Sequence, residues 1–231
     1  VQTVGGRVYV GGLGRFGFFE PNSYGQLRYQ DLSPKEDGAS VINIWNIHLL
    51  DGSVYFQSDD GVYVYNKGRL RHIHCEHGIS YSNVIYGRLY AVSRDGIYLL
   101  VGNKFELIPH TRNITHAQVI SLLPFKGQLL AVTARHGLFV SSGGNFLPYH
   151  STLDFLLQGK QLSCAAVNAS HLAIGTLQNG VILENIKTGN VSCISTHNGL
   201  QNKTVLSLLF DRENNLWLGL DNGIDCISFN A

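Results

Sequence analysis

The chain has 231 residues and a net charge of +1; 44% of it is hydrophobic and only 14% charged, against roughly 25% charged in an average soluble domain. That apolar content can bury a core and excludes intrinsic disorder. The balanced charge gives no reason to expect nucleic acid or an anionic membrane surface, and no apolar run approaches the roughly 18 residues of a membrane span. Glycine is abundant, at 26 residues, and aromatics make up 10%; this strand-and-turn composition argues against helix bundles and coiled coils.

Taken in chain order, six apolar strand pairs joined through a glycine are predicted. They are RVYVGGLGRFGFFE (7–20), SVYFQSDDGVYVYN (53–66), RLYAVSRDGIYLLV (88–101), QLLAVTARHGLFVS (128–141), HLAIGTLQNGVILE (171–184) and NLWLGLDNGIDCIS (215–228). A further strand follows most of them, at 27–32, 70–75, 105–110, 146–150 and 191–196, and another precedes most of them, at 42–49, 119–125, 162–167 and 204–211. The aligned glycines Gly17, Gly61, Gly96, Gly137, Gly180 and Gly223 are spaced by 44, 35, 41, 43 and 43 residues. Turns such as DDG, RHG, QNG and DNG predict a glycine at positive φ in each hairpin. LSPKEDGAS (32–40) reads as a polar loop between units.

Four short strands per repeat of about 40–45 residues is the pattern of a β-propeller. The fold class is therefore all-β, with residues 1–231 as a single propeller domain or a fragment of one. Six repeats could close as a six-bladed ring, form most of a seven-bladed one, or belong to a longer array. Radial packing buries both faces of a blade, which accounts for strands that lack clean polar alternation. The 35-residue unit is short by most of a strand, so the strand around SYSNVIYG is expected to be truncated. Methionine is absent, even at position 1. The chain thus reads as an excised or processed segment, or as one from which modified methionines were dropped, with the short unit as the place to look for lost residues.

Residues 198–227, NGLQNKTVLSLLFDRENNLWLGLDNGIDCI, resemble the two-component-regulator propeller repeat. Gly199-Leu200, Val205, Asp211, Asn215, Leu216-Trp217, Gly219, Gly223 and Ile224 carry the resemblance. The unit before matches less fully, and RVYVGGLGRFGFFEPNSYGQLRY (7–29) is similar to a repeat of the family's triple-tyrosine regulators. In physical terms these are fold residues. Trp217 is expected to pack between blades, and Asp211 and Asn215 to shape a turn through side-chain-to-backbone hydrogen bonds. The resemblance implies a periplasmic, ligand-sensing, non-enzymatic part of a bacterial signalling receptor, a homodimer in the full receptor. Its ligand would be a small molecule or an oligosaccharide, with no nucleic acid bound by this segment. A three-tyrosine sandwich, a membrane helix and a kinase or DNA-binding domain commonly follow in the family, and contact with the membrane would come only through such parts. Rival readings are a propeller lyase or glycosidase using carboxylates at the mouth, and a scaffold that only dimerises.

Propeller ligands usually sit at one mouth, among loops of several blades. Trp45, Tyr24, Tyr81, Arg94, Arg135 and His136 are the loop and strand-edge candidates for holding a polar ring-shaped ligand. His72 and His74 share one strand face and are weak candidates for zinc, which needs further ligands from elsewhere. No catalytic residue and no cofactor are called for. Carboxylates lie scattered at turns (Asp59, Asp60, Asp95, Asp211, Asp221, Asp225), and a glycosidase pair among them would not show in sequence spacing. GGLGRFG (11–17) precedes a strand rather than a helix, so it is a turn and not a phosphate loop. Cys75, Cys164, Cys193 and Cys226 form no C-x-x-C pair; they read as small buried hydrophobes, with a Cys164–Cys193 bridge as the alternative.

Overall fold

The computed structural model describes residues 1–34 and 42–229. The expected loop at 32–40 therefore lies mostly outside the described residues. The chain divides into two compact units, Val1–Ile108 and Pro109–Ala231, and each carries three propeller blades.

In the first unit, β1 (Gln2–Val4), β2 (Arg7–Gly11), β3 (Phe16–Pro21) and β4 (Leu27–Asp31) form the first antiparallel sheet. The second holds β5 (Asn46–Leu50), β6 (Ser53–Gln57), β7 (Gly61–Asn66) and β8 (Arg69–His74), and the third β9 (Tyr81–Ile85), β10 (Arg88–Val92), β11 (Ile97–Val101) and β12 (Lys104–Leu107). The second unit opens with the one-turn helix α1 (Arg112–Thr115), followed by the fourth sheet: β13 (Val119–Phe125), β14 (Gln128–Thr133), β15 (Leu138–Ser142) and β16 (Asn145–Pro148). A second one-turn helix, α2 (Leu153–Leu157), leads to β17 (Leu162–Val167), β18 (His171–Thr176), β19 (Val181–Asn185) and β20 (Val191–Ile194). The sixth sheet has three strands among the described residues: β21 (Val205–Phe210), β22 (Leu216–Leu220) and β23 (Ile224–Ile227). Every strand pairs with its sequence neighbour, which is the meander of a propeller blade.

Alternate residues of the middle strands serve different neighbours. Tyr63 and Tyr65 of β7 join Tyr9, Phe16, Phe18 and Phe56 in a core between the first two blades. Val62 and Val64 join Leu89 and Ala91 between the second and third. On β18, Leu172 and Ile174 face the fourth blade, while Ala173 faces the sixth with Leu216 and Leu218. Both faces are dry, so the strands need no polar side, as expected. Each fully buried Leu, Ile or Phe contributes about 1.5–3 kcal/mol of transfer free energy. The first interface is aromatic, with Phe16 and Phe56 rings 4.7 Å apart and Phe16 and Tyr63 5.0 Å apart; those of the second unit are mainly aliphatic.

Several expectations need correction. The short unit has a complete first strand: β9 pairs with β10 along its whole length, from Tyr81 opposite Val92 to Ile85 opposite Arg88. The missing residues come from the connection before it, which runs directly from His74 to Tyr81. The short, exposed strand β1 completes the first sheet and carries too little apolar pattern to be read from sequence. The hairpin glycines have more than one cause. Gly180 has φ +72, as expected. Gly61 is not left-handed; a Cβ there would lie 2.2 Å from the Ile73 carbonyl oxygen on the next strand.

All four cysteines are free, and Cys193 and Cys226 are exposed rather than buried. Cys164 lies on β17 and Cys193 on β20, at opposite edges of one sheet. Three interstrand spacings put them about 14 Å apart, well beyond disulfide reach. Burial pushes the Cys164 thiol up to about 11 and raises that of Cys75.

A buried polar row joins the second and third blades. The His48 Nε2 lies 2.8 Å from the Ser82 hydroxyl. Ser82 donates to Gln57 Oε1 (3.2 Å), which also accepts from Asn46 Nδ2 (2.9 Å). Gln57 Nε2 donates to the carbonyls of Ser58 and Ile79, both at 3.3 Å. Burial lowers His48 to about 4.

Candidate ligand-binding site

In the second unit, a hollow of about 470 Å³ lies beside the β14–β15 turn. Arg135 and His136 come from that turn; Tyr149, His150, Asp154 and Phe155 come from the segment leading into and through α2. The turn is held by Thr133, whose hydroxyl accepts from the His136 N–H (3.0 Å) and donates to the Gly137 carbonyl (2.7 Å). On α2, Leu153 and Leu157 are four residues apart and share one helix face. Both are buried in the core between the fourth and fifth blades. Their anchoring turns Phe155 outward, where it is 83% exposed. Asp154 lies beside it and accepts from His150, with 2.9 Å between Nδ1 and Oδ2. Arg135 Nη2 donates to Gln161 Oε1 at 2.8 Å, which fixes the guanidinium at the rim.

The hollow thus offers an aromatic face, a fixed cation, an imidazole–carboxylate pair and an amide. These groups suit a small polar ligand with one apolar ring face. Among the described residues Asp154 is the one carboxylate that lines the hollow, whereas a glycosidase uses a flanking pair.

Of the sequence candidates, Arg135 and His136 meet in this hollow. The others lie in the first unit. Trp45 is exposed, and its indole N–H donates to Asp59 Oδ1 at 2.6 Å. Arg94 is exposed in the β10–β11 turn, and Tyr81 is half-buried at the start of β9. Tyr24 stands at the tip of the β3–β4 hairpin, 88% exposed, at the opposite end of its blade from the β2–β3 turn. His72 stacks on Tyr63 with ring centroids 4.3 Å apart. Its Nε2 is 3.4 Å from Asp60 Oδ1, and His74 Nδ1 is 4.0 Å from Asp60 Oδ2. Among the described residues no group of three His, Cys, Asp or Glu is arranged to hold a metal ion. His150, Asp154 and Phe155 escaped sequence reasoning. The available signal was Leu153 and Leu157 at i, i+4 after Ser151-Thr152, a single turn that must point the residues between them away from the core.

The motif residues of the last blade are partly as expected. Asp211 Oδ1 accepts from the backbone N–H groups of Glu213 (2.9 Å) and Asn215 (2.8 Å), and Asn215 Nδ2 donates to Asp211 Oδ2 at 3.0 Å. Trp217 departs from expectation: it does not join the core between the fifth and sixth blades, is 43% exposed, and its indole N–H donates to Asp211 Oδ2 at 2.8 Å. Leu216 and Leu218, its neighbours of opposite orientation, fill the core instead. That indole bond, with the other donors, holds the Asp211 carboxyl below its usual range. At Gly219 the Ser207 hydroxyl approaches closely: a Cβ there would sit 2.3 Å from it, so the hydroxyl would have to rotate away. Gly223 has φ +98.

No protein-family model and no curated protein matches the sequence. Solved structures do match. The extracellular domain of the one-component system BT4673 from B. thetaiotaomicron covers 100% of this chain with a TM-score of 0.74 at 20% identity. The shared fold is a β-propeller. The extracellular domain of the hybrid two-component system BT3049 from the same organism covers 92% with a TM-score of 0.61 at 16% identity. PorZ, a surface component of the type-IX secretion system of Porphyromonas gingivalis, covers 98% with a TM-score of 0.66 at 12% identity. The matches take in 32%, 29% and 37% of those chains respectively, so this chain spans about a third of each neighbour's length. The first two neighbours are of the kind named by the resemblance in residues 198–227. Among the described residues, no helix is long and apolar enough to cross a membrane.

Proposed function

We propose that the chain is a periplasmic ligand-sensing propeller segment of a bacterial signalling receptor, and that it binds a small polar, glycan-derived ligand without turning it over. The reading rests on the hollow that sets exposed Phe155 beside Arg135 and the His150–Asp154 pair, in a chain that shares its fold with extracellular domains of signalling systems. An aromatic face stacks on the apolar face of a sugar ring, and a guanidinium with a neighbouring carboxylate supplies the directional hydrogen bonds that pick out its hydroxyls. Homodimerisation in the intact receptor belongs to the same proposal.

The test is a thermal-shift screen of the purified chain against a panel of glycan fragments, repeated with Phe155→Ala and Arg135→Ala. The proposal expects at least one fragment to raise the melting temperature, with each variant losing most of the shift, and no product by chromatography. Stabilisation that both variants retain removes the hollow from the reading. Silence across the panel favours the dimerisation scaffold. One observation favours an enzyme: His150 and Asp154 form an acid–imidazole pair able to move a proton. Product formation abolished by His150→Ala would establish that reading.

A further inference from the structure

We infer that the second blade carries a separate binding site for an oxyanion, a phosphate or sulfate group borne by a small ligand, on the face that β7 and β8 present beside the Lys67–Gly68 turn. A depression of about 700 Å³ opens there, lined by Lys67, Arg69 and Arg71 with Ser53, Asn66 and Val64 among its other residues. It shares no residue with the hollow of the fourth blade.

Register puts these side chains together. Asn66 lies opposite Arg69, and Val64 opposite Arg71, so all four point to one face of the sheet. Arg69 and Arg71 are two residues apart on one strand, so their Cβ atoms stand about 7 Å from each other. Lys67 reaches in from the turn. Three cations thus converge, and among the described residues no carboxylate lines the depression. Among the described residues none of the three forms an ion pair, although the chain has 16 acidic residues. Like charges at this spacing repel, and the missing counter-charge is what a ligand would bring.

The site is also partly built. Arg71 Nη1 donates to Asn103 Oδ1 on the third blade, which fixes one guanidinium while leaving its other N–H groups free. Asn66 Nδ2 donates to the Ser53 hydroxyl. Ser53 is only 7% exposed, and its own proton remains available to an acceptor. A forked guanidinium pairs with two oxygens of a phosphate or sulfate at once, and the ammonium of Lys67 adds a point charge.

Isothermal titration at low ionic strength tests this, using inorganic pyrophosphate and N-acetylglucosamine 6-sulfate as probes. The expected result is saturable binding of at least one, weakened about ten-fold or more by the double variant Arg69→Gln/Arg71→Gln, as befits the loss of charge-assisted hydrogen bonds. Arg212→Gln, at an exposed position elsewhere, should bind as the parent does. Both arginines are exposed, so circular dichroism of the double variant should be unchanged. Ser53→Ala gives a second, uncharged probe of the floor. Tighter binding of the sulfated sugar assigns the site to a saccharide ester, and tighter binding of pyrophosphate assigns it to a phosphate. No saturable binding of either probe overturns the inference, and so does a double variant that binds as the parent does. Sedimentation with phosphatidylglycerol vesicles as the sole signal also overturns it, because the patch would then serve a lipid surface.

Discussion

Protonating His48 should weaken the fold, and the size of the effect can be worked out. The imidazole lies between the second and third blades with Ser82 as hydrogen-bond partner. Burial lowers it from 6.5 to about 4. The unfolded chain takes up the proton below pH 6.5, and the folded chain takes it up only near pH 4. Between those values the unfolded state binds more protons, so stability falls as the pH falls, and the loss levels off below about 4. A shift of about 2.5 units corresponds to roughly 3 kcal/mol over the full window, of which about 2 kcal/mol is lost between pH 7 and pH 4.5. Against a total stability of about 5–15 kcal/mol this is a large share. Other groups titrate in the same range, so the clean measurement is a difference. Urea unfolding of the parent and of His48→Gln at pH 7 and pH 4.5 isolates this one site. The glutamine variant should be the less stable of the two at pH 7 and should lose about 2 kcal/mol less on acidification. Parallel losses in the two proteins would refute the reasoning, as would an NMR titration that places His48 near 6.5.

Two further outcomes follow from local contacts. Glu184 is 4% exposed, its Oε2 has no hydrogen-bond partner among the described residues, and burial raises its carboxyl despite the opposing charge of Lys126. Its ionised form is disfavoured in the fold, so Glu184→Gln should raise the melting temperature at pH 7, by about 1 kcal/mol of stability, and the gain should shrink as acid protonates the parent. Gly219→Ala drives a methyl group toward the Ser207 hydroxyl and should destabilise by about 1–3 kcal/mol in urea unfolding. The double variant with Ser207→Ala should recover part of that loss.

Much of the fold was readable because its local demands repeat. A hairpin glycine recurs where a blade turns between its second and third strands, and the two-sided burial of β7 and β18 shows directly as runs without polar alternation. What stayed hidden was too short or too dependent on partners. α1 and α2 are single turns, too short to show more than one helical spacing, and β1 is three exposed residues. The orientation of Trp217 is not legible in the sequence, because a large aromatic on a central strand normally fills a core. Here the indole N–H has Asp211 as partner on the outer face, and Leu216 and Leu218 occupy the inner one. The hollow was half legible: Arg135 and His136 announce themselves in a turn, whereas Phe155 and Asp154 become candidates only once Leu153 and Leu157 are seen to pin α2.

Because β7 and β18 are buried on both faces, hydrophobicity cannot police how they align. In a sheet with one wet face, slipping by a single residue exposes the whole apolar set. In β7 or β18 the same slip would exchange one dry face for another. Alignment must therefore be enforced at the strand ends. Asp51–Gly52, Lys67–Gly68, Tyr86–Gly87 and Lys126–Gly127 all have positive φ at both residues, the signature of the two-residue hairpin that admits a single pairing. In the last two blades Asn168 and Asp211 take over, by binding the backbone of the residues that follow them. Errors in these few corners, rather than in the core, are where misaligned blades and tangled folding intermediates would begin.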